Sequence, residues 1–279
     1  MKNSERPIKR LLVANRGEIA IRVMRAATEL NITTVALFSF EDRYSLHRFK
    51  ADEAYQVGEG KTAVQAYLDI EDIIRIAQEH HIDAIHPGYG FLSESPEFVD
   101  ACDKANITFV GPPAAVMRQL GNKVSARNMA EQASVPVMPA SPPLSENAAQ
   151  NKALAEQVGF PVMLKASWGG GGRGMRIVES VDELNDAIAE GRAEALNAFG
   201  NGEVYLEKLV QRARHVEVQI IADKHGQVVH LFERDCTVQR RNQKIVERAP
   251  ALYLDDDKRH EVCQAAVRLA SHAKYENAG

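Results

Sequence analysis

The sequence FPVMLKASWGGGGRGMRIV, residues 160–178, decides how this chain is organised. Its apolar run at 162–164 predicts a buried strand that ends at Lys165. Four glycines follow at 169–172, and because glycine has no Cβ, their backbone N–H groups can converge on an anion. A strand-like pattern resumes at 175–178. We therefore expect a strand, a glycine loop and a second strand, with the loop acting as a mobile flap over the phosphates of a nucleotide.

Other phosphate-binding motifs fit this stretch less well. Gly169, Gly171 and Gly174 satisfy the pattern G-x-G-x-x-G, but in dinucleotide-binding folds a helix follows that pattern, and here a strand pattern follows. A Walker A loop requires lysine and then serine or threonine, whereas Met175 and Arg176 occupy those positions. A flexible linker is polar on both sides, whereas strand-like segments bracket these glycines.

The composition is that of an ordinary globular protein large enough for two domains, with 279 residues, 45% hydrophobic and 26% charged. A net charge of -4 gives no reason to expect nucleic acid as a partner. No apolar run approaches the roughly 20 residues of a membrane span, and the first ten residues lack the apolar segment of a signal peptide. The three cysteines, Cys102, Cys236 and Cys263, have no metal-binding spacing, which predicts reduced thiols and a cytoplasmic protein.

Strand and helix patterns alternate through the first 110 residues, which predicts a parallel, doubly wound sheet. The predicted strands lie at 11–14, 33–38, 54–57, 84–86 and 108–110. The loop Asn15-Arg16-Gly17 and the turn at 86–94 follow strands, at the edge where open α/β sheets place ligand clefts. His86 is a candidate there, although a histidine before a proline at a strand end is more typical of a structural role.

The second half begins after Gly111-Pro112-Pro113 with a helical linker. A helix is predicted at about 181–198, followed by a strand that ends at Glu207 and Lys208. This strand fits an adenine-binding hinge or an ordinary edge strand. Beyond it, residues 215–221 and 228–232 predict a β-hairpin.

The segment ERDCTVQRRNQKIVERAP, residues 233–250, mixes charges of both signs with apolar residues. Charge runs are usually solvated, but this interleaving favours strands that line a polar cleft. Its cluster of arginines and lysines would suit an anionic substrate.

Five motifs in order, LVANRGEIAIRV, HPGYGFLSESPEF, KASWGGGGRGM, EKLVQRARHVEVQI and the 233–250 segment, carry a resemblance over the whole chain. The chain resembles the biotin carboxylase module of biotin-dependent carboxylases, in the ATP-grasp superfamily. The resemblance implies an α/β fold, in which an N-terminal doubly wound parallel sheet (the pre-ATP-grasp domain) precedes a partial ATP-grasp domain with an α+β lid. The implied divisions are an N-terminal domain at 1–112, a helical linker at 113–140, a lid with the glycine loop at 141–210 and an incomplete catalytic core at 211–279.

Within that family, the pyruvate carboxylase branch is the most similar, on Trp168, Asn242, Arg248 and the stretch 46–58. An acetyl-CoA or propionyl-CoA carboxylase is the alternative, and many acetyl-CoA carboxylase modules have histidine where this chain has Asn242. Another ATP-grasp ligase, such as a carbamoyl-phosphate or purine-pathway enzyme, is disfavoured by QRRNQK.

The resemblance also implies roles for individual residues. Those expected to hold ATP are Lys123 and Lys165 at the phosphates, Gly171 and Gly172 in the flap, Glu207, Lys208 and the backbone of Leu209 and Val210 at the adenine, and His215, Gln239 and Asn242 in the rest of the pocket. Lys244 is the expected catalytic residue, because it would bind bicarbonate.

The implied reaction joins MgATP, bicarbonate and biotin through carboxyphosphate to give carboxybiotin, ADP and phosphate. The implied cofactors are ATP, Mg2+ or Mn2+, and biotin carried on another domain. The partners would be biotin carboxyl carrier and carboxyltransferase domains, with the parent enzyme a homo-oligomer. In the family, the acidic metal ligands follow the position of Gly279, so we expect the 279-residue chain to resemble an N-terminal piece that is inactive alone. The alternative from another class is a nucleotide-binding or interaction fragment without catalysis.

Overall fold

The structure is a computed structural model that describes residues 7–168, 175–240 and 243–279. The chain divides into two compact units, Met1–Met117 and Arg118–Gly279. No helix in the described part has both the length and the apolar character needed to cross a membrane.

The first unit is built on a five-stranded parallel sheet with the strand order β3-β2-β1-β4-β5. Its strands are β1 (Arg10–Val13), β2 (Thr33–Phe38), β3 (Glu53–Gln56), β4 (Ala84–His86) and β5 (Thr108–Phe109). Its helices are α1 (Gly17–Glu29), α2 (Ala63–Tyr67), α3 (Ile70–Glu79) and α4 (Pro96–Lys104), with 3-10 turns at Glu41–Tyr44 and Leu46–Lys50.

Both faces of this sheet are covered, because successive side chains of a strand point to opposite faces. Leu12 and Leu37 pack in the large core cluster that contains Ile73 of α3, whereas Val13 packs in a separate cluster with Met24 of α1. The predicted doubly wound parallel sheet is therefore confirmed, and its strands end within one residue of the predicted positions.

The second unit contains a three-stranded antiparallel sheet with the order β7-β6-β8. Its elements are α6 (Lys123–Gln132), α7 (Ala148–Val158), β6 (Val162–Ala166), β7 (Arg176–Val178), α8 (Leu184–Phe199) and β8 (Val204–Lys208), with a 3-10 turn at Val181–Glu183; α5 (Ala114–Gly121) spans the boundary between the units. The predicted helix at 181–198 thus starts with a 3-10 turn, and Gly200 in the left-handed conformation ends it.

One face of the three-stranded sheet is apolar and the other is not. Val162 and Leu164 of β6 and Leu206 of β8 are fully buried in a core that also contains residues of α7 and α8. The residues that alternate with the buried ones, among them Lys165 and Glu207, project from the opposite face.

The rest of the second unit is a four-stranded antiparallel sheet with the order β11-β10-β9-β12, onto which one long helix packs. Its elements are β9 (Val216–Ala222), β10 (Val228–Arg240), β11 (Gln243–Arg248), α9 (Asp256–His272) and β12 (Asn277–Ala278).

The predicted β-hairpin is confirmed, because β9 and β10 pair antiparallel, but β10 does not end at residue 232 as predicted and continues to Arg240. The pairing of β10 with β9 is interrupted between His230 and Glu233, where Phe232 takes a positive φ of 63°. A bulge of this kind bends a strand without ending it. Beyond the bulge, β10 pairs with β9 as far as Asp235 and then with β11.

We expect Leu164→Ala to lower the free energy of unfolding by about 2–5 kcal/mol, because Leu164 is fully buried between the sheet and its helices. Denaturant unfolding followed by circular dichroism measures the change. Ile177→Ala on the neighbouring strand is the control, because Ile177 is 50% exposed and its loss should cost less than about 0.5 kcal/mol. Equal losses for the two variants would contradict the assigned core.

Candidate functional site

Lys165 and Glu207 form an ion pair on the polar face of the three-stranded sheet. Lys165 Nζ donates to Glu207 Oε1 at 2.6 Å, and the two side chains are 22% and 20% exposed. The antiparallel register of β6 and β8 places Lys165 opposite Tyr205 and Met163 opposite Glu207. Because these four residues share a face, the lysine reaches diagonally across the strands to the carboxylate.

A second lysine, Lys123, lies next to this pair. It is the first residue of α6, where its backbone N–H donates to Ser167 O at 2.9 Å and its Nζ donates to Ala166 O at 3.2 Å. Burial lowers the pKa of Lys123, the charge of Lys165 lowers it further, and the carboxylate of Glu207 opposes both effects. Two neighbouring ammonium groups with one carboxylate near both leave a net positive charge at the end of β6.

Lys208, at the end of β8, has a different environment. Its Nζ donates to the carbonyl oxygens of Gly159 at 2.6 Å and Phe160 at 3.2 Å, in the turn that leads into β6. The Leu209 N–H points to Pro161 O at 3.4 Å, and Val210 is half exposed. The Lys208 side chain therefore stabilises the sheet. The backbone of Leu209 and Val210 lies at the end of the strand.

A second charged cluster lies on the four-stranded sheet and is centred on Glu217 of β9. Both Lys244 of β11 and Arg234 of β10 donate to its carboxylate, and His215 Nε2 lies 3.3 Å from Glu217 Oε2. Burial raises the pKa of Glu217, but the hydrogen bond from Lys244 and the positive charges of Arg234 and Lys244 outweigh it, so the net pKa is lowered. Glu217 is therefore ionised at neutral pH and holds both cations.

The pairing of β9, β10 and β11 brings two other predicted residues, Gln239 and His215, to this cluster. Gln239 is opposite Lys244 in the β10–β11 register, and its Nε2 donates to Cys236 O at 3.0 Å. The His215 N–H donates to Thr237 Oγ1 at 3.0 Å. Three of the predicted residues, Gly171, Gly172 and Asn242, lie outside the described residues.

Sequence reasoning missed Glu217, Arg234 and Tyr205. Glu217 follows His215 by two residues on a strand, so period-2 alternation alone places both on one face. Arg234 is opposite Glu217 in the β9–β10 pairing, which depends on the position of the bulge and could not be read from the sequence. Tyr205 lies between the apolar residues Val204 and Leu206, so the sequence does not distinguish it from an ordinary buried strand residue.

The donor atoms of Glu217, Cys236 and Glu247 lie within 4.8 Å of one another, a spacing that suits a metal ion. The set does not fit a divalent cation, because Arg234 donates to both carboxylates and Lys244 to one of them. Burial and the neighbouring carboxylates also raise the pKa of the Cys236 thiol, so it is protonated and a poor ligand.

In the first unit, the side chain of Asn15 lies at the sheet edge where a ligand cleft was predicted. Asn15 is 3% exposed, and its Nδ2 donates to Pro87 O at 2.7 Å and to Tyr89 O at 2.8 Å. A Cβ at Gly88 would lie 2.7 Å from that nitrogen, so the loops are in close contact. His86 Nδ1 accepts from the Gly88 N–H at 2.9 Å, and burial lowers the pKa of His86, as expected for a neutral, structural histidine.

Comparison with protein families assigns both units. The model described as "Biotin carboxylase, N-terminal domain" matches residues 7–117, and the model described as "Carbamoyl-phosphate synthase L chain, ATP binding domain" matches residues 122–279.

Individual proteins are also similar to the chain. The pyruvate carboxylase of Bacillus subtilis is 54% identical over 276 residues, which are 99% of this chain and 24% of that protein. A structure of Rhizobium etli pyruvate carboxylase is 59% identical with a TM-score of 0.91, over 98% of this chain and 24% of the other. The biotin carboxylase domain of Hydrogenobacter thermophilus 2-oxoglutarate carboxylase, solved with MgADP, ADP and bicarbonate, is 42% identical with a TM-score of 0.92, over 98% and 60%. The chain spans about a quarter of the length of the curated relatives it matches.

We expect Glu217→Gln to lower the free energy of unfolding at pH 7 by about 2 kcal/mol, because the amide leaves Lys244 and Arg234 without their shared charge partner. The folded-state pKa of Glu217 lies below its ordinary 4.5, so its contribution is present above pH 4.5 and is lost as the pH falls through the folded value. Urea unfolding between pH 3 and 7 should show the difference from wild type shrinking in acid.

Glu261→Gln on α9 is the matched control, because Glu261 is 58% exposed and pairs with one exposed lysine. A difference between wild type and Glu217→Gln that stays constant with pH would mean that the charge of Glu217 is not what stabilises the cluster.

Proposed function

We propose that this chain binds ATP and bicarbonate as part of a biotin carboxylase. The chain belongs to the family of carbamoyl-phosphate synthase L chain ATP-binding domains and carries a biotin carboxylase N-terminal domain. The observation that carries the proposal is the pair Lys123 and Lys165, which lie together at the end of β6 with Glu207 near both. A polyphosphate is the ligand that such a cationic pair would neutralise.

In this proposal, ATP lies along the polar face of the three-stranded sheet. Lys123 and Lys165 neutralise its phosphates, and Gly171 and Gly172 close over them. The adenine lies at the end of β8, where the backbone of Leu209 and Val210 offers hydrogen-bonding groups, next to Glu207 and Lys208. The remaining contacts come from His215, Gln239 and Asn242. The binding of MgADP by the 2-oxoglutarate carboxylase domain, which shares 42% identity, supports this assignment.

Bicarbonate is proposed to bind at Lys244. Glu217 fixes the Lys244 ammonium by a charge-assisted hydrogen bond, and Arg234 adds a second positive charge on the other oxygen of the same carboxylate. An anion that approaches Lys244 therefore meets a preorganised cation, which is how enzymes stabilise charge that develops during a reaction. The bound bicarbonate of the same relative supports the choice of substrate.

The proposed reaction is the ATP-dependent carboxylation of biotin. A bicarbonate oxygen attacks the γ-phosphorus of ATP to give carboxyphosphate and ADP. Carboxyphosphate then breaks down to CO2 and phosphate, the phosphate takes the proton of the biotin ureido N–H, and that nitrogen forms a bond to the CO2 carbon. The residues named here contribute positioning and charge neutralisation, which dominate the catalysis of phosphoryl transfer. Mg2+ or Mn2+ would accompany ATP, and because the Glu217 cluster is held by Arg234 and Lys244, we place no metal ligand there.

For the whole protein we propose the first half-reaction of a pyruvate carboxylase, with pyruvate as the final acceptor, on the identity of 50–54% to pyruvate carboxylases. Its partners would be a biotin carboxyl carrier domain and a carboxyltransferase domain within a homo-oligomer.

The cytoplasm is the proposed compartment, in keeping with three buried, free cysteines. The finer division of the chain into a linker at 113–140, a lid at 141–210 and a core at 211–279 is part of the same proposal.

We expect ATP to change the fluorescence of Trp168, because it is the single tryptophan of the chain and directly precedes the glycine loop. Lys165→Met should weaken ATP binding by about 10- to 100-fold, the loss expected for one charge-assisted phosphate contact. Titration of the fluorescence with ATP, checked by calorimetry, measures the dissociation constant. Lys152→Met is the control, because Lys152 is exposed on α7. Wild-type binding by both variants would sink the assignment of the phosphate site.

We expect Lys244→Ala to weaken bicarbonate binding by about one to two orders of magnitude and to leave ATP binding within about twofold, because Lys244 is assigned to bicarbonate and the ATP phosphates are assigned to Lys123 and Lys165. Calorimetric titration with bicarbonate, and separately with ATP, gives both affinities. Lys258→Ala removes an exposed lysine of α9 and should change neither. If Lys244→Ala weakened both ligands equally, the role of Lys244 would be structural.

A further inference from the structure

Tyr205 is a buried residue with no role in the function proposed above. It lies in the middle of β8, is 3% exposed, and is directly opposite Lys165 in the register of β6 and β8. Its hydroxyl donates to Glu207 Oε2 at 3.0 Å, while Lys165 Nζ donates to Glu207 Oε1 at 2.6 Å. The two oxygens of one carboxylate thus each have one donor.

These contacts restrict the Glu207 carboxylate. With a single donor, a carboxylate can turn about its terminal torsion, which is broad in glutamate. Donors on both oxygens fix the plane of the group, and the rigid, buried phenol ring supplies one of them. The position of Oε1, and hence the preferred position of the Lys165 ammonium on its flexible stem, is then set by the tyrosine.

The protonation state of Tyr205 suits this task. Burial raises the pKa of Tyr205, and the negative charge of Glu207 and the hydrogen bond to it raise it further. The phenol is therefore protonated at any physiological pH, so it can donate to Glu207 but cannot serve as a base.

Glu207 also affects Lys123. The charge of Lys165 lowers the pKa of Lys123, and the charge of Glu207 raises it. A carboxylate that turned away would leave two lysines to repel each other. Keeping Glu207 in place therefore reduces the repulsion between the two lysines.

We propose that Tyr205 is a positioning residue that, through Glu207, holds Lys165 in place for the phosphates of ATP. The inference rests on the proposed function, because it assumes that Lys165 meets a polyphosphate. It extends that function by adding a residue that touches neither substrate.

Tyr205→Phe tests the inference, because it removes the hydroxyl and keeps the ring. We expect the dissociation constant for ATP to rise about fivefold, the typical effect of one hydrogen bond. In a Lys165→Met background the same substitution should change ATP affinity by less than about twofold, since Tyr205 would then have no lysine to position. Calorimetry on the 279-residue chain measures all these affinities.

Tyr67→Phe is the matched control. Tyr67 is also buried, 1% exposed, and its hydroxyl also donates to a carboxylate, Asp42 Oδ2 at 2.9 Å, in the first unit. Thermal unfolding should show similar losses of Tm for the two variants, and Tyr67→Phe should bind ATP as wild type does.

The outcomes are distinguishable. Wild-type affinity for ATP in Tyr205→Phe, or a loss that persists in the Lys165→Met background, would overturn the positioning role and leave the proposed function standing. Failure of the wild-type chain to bind ATP would overturn the proposed function, and this inference with it.

Discussion

The alternation of side chains along β6 and β8 is the constraint on which the second unit depends. Val162, Leu164 and Leu206 hold the sheet against its helices, and the residues between them must then face the other way. One residue of slippage would place Lys165 in the core and an apolar side chain at the site. The same burial that stabilises the sheet therefore fixes the register of Lys165, Tyr205 and Glu207 and brings them to one face.

A shared carboxylate organises each of the two charged clusters. Glu207 receives a lysine and a tyrosine on its two oxygens, and Glu217 receives a lysine and an arginine. In both cases the anion lowers the cost of holding a cation in a half-buried position, and it leaves the cation available on its other side. This arrangement allows positive charge to be kept in place before an anionic ligand arrives.

The sequence predicted most of the fold because the strands have clear patterns. Most of the parallel strands are short apolar runs, and β6 is followed in the sequence by the four glycines. The interleaved charges after residue 232 indicated strands, but the continuity of β10 through this point was not predictable, because the bulge at Phe232 depends on pairing with β9. Lys123 could be linked to the site only by family resemblance, since it lies more than 40 residues before Lys165 and meets it through the fold.

The brace made by Lys208 has a mechanical consequence. Its ammonium joins the end of β8 to the carbonyls of Gly159 and Phe160, immediately before β6 begins, so the two strands are tied together by a side chain in addition to their ladder of hydrogen bonds. A displacement of one strand must carry the other with it. The distance between the end of β8 and Lys165 is thus fixed before any ligand binds, and a molecule that contacted both points would have to match that distance.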